Sequence, residues 1–343
     1  MAANSFELLI AQWEERLRRA FLDAIYLIRD QAQIEAITRL LDRGDIDGAF
    51  RAVGLDPAQL RVFDKALGQA FEAGGVATVT GIPPLRDANG LRVRFQFAIR
   101  NPEAERWLRD YAGNLIREIV DDQRQLIRGA LERGMRAGMN PRTVALDLVG
   151  RIDPVTGRRI GGLIGLTRSQ EEWARNYAEE LASDNPRAAM SRALHDKRFN
   201  RAIIKAAETK TPLSAELREK MVAAYRNRAL RYRAETIARK EAITALHEAQ
   251  EQALNQAVSA GVDPATITMT WRSAHDKRVR DAHRALDGES IRRGGVFRSM
   301  LGPIRYPGDP NASAANAAGH QASVAAPSAQ YASAPTGSRD SSL

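Results

Sequence analysis

"SAELREKMVAAYRNRALRYRAETIARKEAITALHEAQEQALNQAVSAG", residues Ser214 to Gly261, is the stretch on which the fold turns. Leu217, Met221, Tyr225, Ile237, Ile243, Leu246, Leu254 and Val258 recur at helical spacing without an interior proline or glycine, and Gly261 stands where helices close. The spacing predicts one long helix from about Ser214 to Ala260 and, with it, a mainly α chain. Arg226, Arg228, Arg231, Arg233, Arg239 and Lys240 interleave with the apolar positions. Clustered guanidiniums neutralise phosphates, so Arg226, Arg228, Arg231 and Arg233 are candidate DNA contacts. Glu235, Glu241 and Glu248 lie among them, and the same face suits solvent or a protein partner equally well.

Upstream the pattern is also helical. Phe6, Leu9, Trp13, Leu17, Phe21, Ala24 and Ile28 form one amphipathic face, in a helix expected to run from Phe6 to Leu41 and to stop at "RGDIDG". Asp56 followed by Pro57 starts another helix, Pro102 to Arg136 carries a further one, and Thr167 with Gln170 has capping-box spacing before a helix at Arg168. Two places depart from this period. Leu91, Val93, Phe95 and Phe97 alternate with Arg92, Arg94 and Gln96 after "DANG", which predicts a β-hairpin near 76–98 with one face buried. "IDPVTGRRIGGLIGL" reads as a flexible glycine-rich hinge, since it lacks the lysine and Ser/Thr of a phosphate loop.

Composition bounds the function. The 343 residues include 44% hydrophobic and 6% aromatic side chains, enough for one large core or two modest ones. No cysteine is present, which removes disulfides, thiolate zinc sites and cysteine nucleophiles, and fits folding in a reducing compartment. The net charge of +9 is the small difference between 51 basic and 42 acidic residues, so it favours an acidic partner without requiring one. No signal-peptide pattern and no membrane-length apolar run is present, and a soluble product without a membrane partner is expected.

Beyond Gly261 the period shifts again. Ile267, Met269 and Trp271 alternate with Thr266, Thr268 and Thr270 as a strand that runs into "WRSAHDKRVRDAHRALDG", Trp271 to Gly288. His275, Asp276 and His283 are the one local set with metal-ligand or acid/base chemistry, and they are the candidates for a metal-dependent enzyme. Arg278, Arg280 and Arg284 crowd the same turn and oppose a bound cation, which favours a web of Arg/Asp/His hydrogen bonds that braces a small α+β module. "GGVFRSMLGPIRYPGDP" leaves room for one or two short strands, interrupted by Pro303 and Pro307. From 311 to 343 the chain is rich in Ala, Ser and Pro and is expected to be disordered.

Four pieces in order, "RAETIARKEAITAL", the strand ending at Trp271, "DKRVRDAHRALDG" and "IRYPGDP", resemble the Mu F-type minor head proteins of tailed phages, the head morphogenesis family. Its motif falls on Arg239, Glu241, Trp271, Asp276, Arg278, Arg280, His283, Gly288, Tyr306, Pro307, Gly308 and Asp309. Family members often close on cysteines that this chain lacks, which argues against a metal version of the motif. The resemblance implies a structural virion protein without catalysis or cofactor, made in the host cytoplasm and recruited beside the portal with capsid or scaffold proteins. It divides the chain into a helical region 1–165, a head-morphogenesis domain 166–310 and the tail 311–343. Two rival readings stand beside it: an internal head protein that binds DNA, and the metal-dependent enzyme of His275, Asp276 and His283.

Overall fold

The computed structural model describes residues 2–273 and 280–313. Among them are ten α-helices: α1 Ala2–Gln31, α2 Ile34–Asp42, α3 Ile46–Ala52, α4 Arg61–Gly81, α5 Pro102–Arg136, α6 Pro141–Val149, α7 Arg168–Ala182, α8 Asn200–Thr209, α9 Ala215–Ser259 and α10 Asp281–Arg284. Four short 3-10 helices and three two-stranded antiparallel ribbons accompany them, the ribbons being β1 Arg151–Ile152 with β2 Arg159–Ile160, β3 Thr268–Thr270 with β4 Ser290–Arg292, and β5 Phe297–Ser299 with β6 Gly302–Ile304. The chain is mainly α, with a small α+β module near the C-terminal end, as its periodicity predicts.

Local chemistry explains the element ends. Asp56 and Gln59 form a reciprocal capping box ahead of α4, and Thr167 and Gln170 form another at α7. Asn140 accepts the Arg142 and Thr143 amides at the start of α6, with Pro141 in the first turn, where its missing N–H costs nothing. The helix expected over 6–41 is broken at Ala32–Gln33: the Gln33 amide turns to the Ala52 carbonyl at 3.2 Å, and the chain restarts as α2.

The residues group into two compact units, each gathered from separate stretches of chain. The second unit, Arg19–Asp64 with Ala112–Glu235, has a core in which the Tyr177 and Tyr225 rings stack at 4.6 Å among Leu181, Ile203 and Met221. Here the glycine-rich stretch is no hinge. Residues 161–166 are buried and are held by side chains: Arg29 donates from Nε and Nη2 to the Ile164 carbonyl at 2.9 and 2.6 Å and from Nη2 to that of Gly162 at 2.8 Å. Gln123 bonds both the Gly165 amide, at 2.6 Å, and the Leu166 carbonyl, at 2.8 Å, while Arg233 donates to the Gly165 carbonyl at 3.0 Å. Small residues let the backbone come close enough for these arginines to satisfy carbonyls that would otherwise be buried without donors.

The first unit comprises residues up to Arg18, Lys65–Tyr111 and Thr236 onward. Its central element is the second half of α9, where residues 241–249 are all buried. A helix enclosed on every side needs small side chains, and Ala242, Ala245 and Ala249 supply them. Gly74 of α4 sits against the α9 backbone so closely that a Cβ there would lie 2.7 Å from the Leu246 carbonyl oxygen. A second cluster of this unit joins Leu254, Ile267, Trp271, Leu286, Phe297 and Ile304. Burying a large apolar side chain such as these contributes about 1.5–3 kcal/mol each.

The expected hairpin near 76–98 takes a reduced form. Residues 76–81 belong to α4, and the reversal at Asp87–Gly90 carries a single β-bridge, Arg86 to Arg92. Pro83 and Pro84 lack the amide donors that would extend it.

Candidate functional site

The motif residues on α9 lie where the helix is enclosed. Glu241 is buried and accepts the Tyr111 hydroxyl at 2.7 Å, with Lys240 Nζ at 3.3 Å. Arg239 is half-buried. Two turns on, His247 is buried against the Phe6 ring at 5.2 Å, and its Nδ1 lies 2.8 Å from the Ile243 carbonyl. The carbonyl can only accept, so Nδ1 carries the proton. Burial lowers this imidazole from 6.5 to about 4, which keeps it neutral.

The segment Tyr306–Asp309 closes onto the same helix as a clasp. Tyr306, buried, donates its hydroxyl to the Glu248 carboxylate, which also accepts Gln252 Nε2 at 2.9 Å. Burial pushes the Glu248 carboxyl up, against the opposing effect of these two donors. Burial likewise raises the Tyr306 phenol, and the carboxylate beside it adds to the rise. Thr244 Oγ1 donates to the Gly308 carbonyl at 3.0 Å. Gly308 has φ +77°, and a Cβ there would lie 2.9 Å from Thr244 Oγ1 and 3.0 Å from Ile243 Cγ2, so the turn needs glycine both for its dihedral and for its contact. Asp309 fixes the outer end by accepting Arg305 Nη2 at 2.7 Å and Nε at 2.9 Å. Its own burial would raise its pKa, but the donors from Arg305 and the Asn311 amide outweigh that and hold it below the ordinary carboxylate range. Pro307 occupies the turn between them.

The strand motif forms the second part. Trp271 is fully buried, with the Phe297 ring edge-on at 5.1 Å and the His283 ring at 5.7 Å. The β3–β4 ladder continues through it: the Trp271 amide donates to the Glu289 carbonyl at 2.8 Å, and the Gly288 amide, from a residue at φ +85°, donates to the Trp271 carbonyl at 2.9 Å. Asp287 Oδ1 accepts the Ser273 amide at 2.6 Å, and the Ser273 hydroxyl donates to the His283 carbonyl at 3.2 Å. Arg280 stands half-buried at the head of α10. Of the metal candidates only His283 is placed, for His275 and Asp276 lie outside the described residues, as does the motif residue Arg278. Among the described residues no group of three His, Asp or Glu side chains could hold a metal ion.

The four candidate DNA contacts sit in the other unit, and three of them already face protein acceptors. Arg226 lies 3.3 Å from Asp147 and 3.2 Å from the Gly161 carbonyl. Arg228 reaches the His195 carbonyl at 2.6 Å and Asp196 at 3.1 Å. Arg233 is buried, bound to the Gly165 carbonyl, near Asp122 at 3.5 Å, and with its guanidinium 5.8 Å from the Phe21 ring centre. Burial lowers it to about 10, so it remains charged. Arg231 is exposed. No described helix is long and apolar enough to cross a membrane.

Sequence reading misses Tyr111, His247, Glu248 and Arg305 as parts of this arrangement. Only the contrast of polar residues inside an alanine-rich helical run, "EAITALHEA", could mark Glu241, His247 and Glu248 as enclosed.

Comparison with curated proteins and with solved structures gave no match. A family comparison matches residues 213–305 to the family described as Phage Mu protein F like protein, a shorter span than the resemblance over 166–310. The match contains α9, Trp271, His283 and Gly288, and it ends at Arg305, immediately before the tyrosine clasp. Over residues 213–305, about a quarter of its length, this chain is therefore similar to the family described as Phage Mu protein F like protein.

Proposed function

We propose that the chain is a minor head protein that acts beside the portal during assembly of a DNA-filled phage head, with a structural rather than a catalytic role. One observation carries this reading: within and just after the family-matched segment, four of the described motif residues serve packing. Trp271 fills a core, Glu241 is enclosed, and Tyr306 and Gly308 lock the chain onto α9. A site for turnover would need acid, base or nucleophile presented to a substrate. Among the described residues Glu241, Glu248, Tyr306 and Asp309 are buried and hydrogen-bonded within the fold.

Deletion of the gene from the phage that encodes it, with complementation in trans, tests the proposal. Loss of DNA-filled heads, restored by the wild-type gene, together with co-purification of the chain with portal-containing particles, is the expected result. Normal heads in the deletion would overturn it.

A further inference from the structure

"LRVRFQFA", Leu91 to Ala98, has a strand's alternation but almost no strand beside it. Val93, Phe95 and Phe97 are half-buried, whereas Arg92, Arg94 and Gln96 are exposed. Val93 and Phe95 pack on the Trp271 core, and the Phe97 ring meets Phe71 at 5.9 Å. The Val93 amide donates to the Leu85 carbonyl and the Asp87 amide to the Leu91 carbonyl, both at 2.9 Å, and there the ladder ends. In antiparallel pairing this pattern turns the N–H and C=O of Arg92 to the opposite edge, and alternation does the same for Arg94 and Gln96. None of these three backbones has a hydrogen bond among the described residues. Ala98, the next residue of that parity, is held by the Gln256 side chain, at 2.8 and 3.0 Å.

An edge with β-prone residues and unpaired backbone groups is a template for another strand. We propose that Arg92–Gln96 is a docking edge for an extended, acidic segment of another protein, which joins it as a β-strand. Charge selects that occupant. Arg92 and Arg94 are exposed and form no ion pair among the described residues, and Arg100 is exposed close by. The nearest acid in sequence, Asp87, is engaged by the Asn89 and Leu91 amides. A second copy pairing antiparallel with the same stretch would set arginine opposite or next to arginine, which is unfavourable across strands. Carboxylates at alternate positions of the added strand would meet both arginines.

The probe is a dye-labelled seven-residue peptide of alternating glutamate and valine, titrated into the full chain by fluorescence anisotropy, with a lysine-for-glutamate peptide as control. The acidic peptide alone should bind, more weakly as salt rises, and slow hydrogen exchange at the Arg92, Arg94 and Gln96 amides. Arg94→Pro removes one outward N–H, and the Arg92→Glu, Arg94→Glu pair reverses the charge while keeping every amide. Each should weaken binding by about tenfold or more with helical circular dichroism unchanged. If the proline variant does not fold, the charge-reversed pair alone decides between binding at this edge and binding elsewhere. Absence of binding at low salt, equal binding by both variants, or binding without amide protection overturns the proposal. So does self-association of the chain that Arg94→Pro abolishes, which would make a second copy the occupant. The outcome is independent of whether the chain is a head protein.

Discussion

Gly308 shows how one residue ties the C-terminal clasp to the long helix. Its positive φ and its close contact with Thr244 and Ile243 act together, so Gly308→Ala is expected to cost about 1–3 kcal/mol of unfolding free energy, read as a lower midpoint in urea. An unchanged midpoint would mean that the clasp does not pack as described. His247 carries a pH prediction. Its folded pKa, about 4, lies below the ordinary 6.5 because burial disfavours the charged ring. The unfolded chain therefore takes up a proton at His247 that the folded chain refuses, and this contribution is lost as pH falls from 6.5 towards 4. At about 1.4 kcal/mol per unit, the stability at stake across that window is ~3 kcal/mol. His247→Phe should remove it, so the wild type's stability relative to the variant, from urea unfolding at several pH values, should rise between pH 4 and 6.5. A constant difference would contradict the burial of a neutral histidine. The two residues differ in how far the sequence alone marks them: the glycine lies within a recognisable "YPGD", whereas the histidine's enclosure depends on contact with Phe6, far away in sequence.

At the scale of elements, the long helix, its end at Gly261, the cap at Asp56 and the capping box at Thr167 are legible in the sequence because each is a local pattern. What escapes such reading is set by partners distant in the chain. Periodicity makes α9 one-sided, yet residues 241–249 are buried all round, because Gly74 and the clasp cover faces that periodicity alone assigns to solvent. The glycine-rich stretch resembles a hinge locally because its donors, Arg29, Gln123 and Arg233, come from other helices. Arg29 is fully buried and remains charged, although burial lowers it to about 10. Arg29→Leu would leave the Gly162 and Ile164 carbonyls without these donors, at an expected cost of about 3 kcal/mol or more. The measurement is the denaturant midpoint, and a loss below about 1 kcal/mol would show that the stretch does not need its arginine. The hairpin is half-legible: the alternation of 91–97 is real, but the two prolines that limit its pairing act on the opposite strand.

For the whole molecule, the excess of positive charge is a poor guide to DNA. Arg226, Arg228 and Arg233 are engaged by protein acceptors, leaving Arg231 as the exposed member of the set. Duplex DNA titrated at several salt concentrations should accordingly show a salt slope that Arg231→Ala lowers by no more than about one unit and that Arg226→Gln leaves unchanged. A slope that falls with each of the four would restore the DNA-contact reading. The central claim, the proposal that this chain is built into a phage head, is tested most directly by quantitative mass spectrometry of purified DNA-filled particles. The account predicts peptides from this chain in those particles at a low copy number per head. Particles that are complete and infectious yet contain no peptide of it would contradict the account.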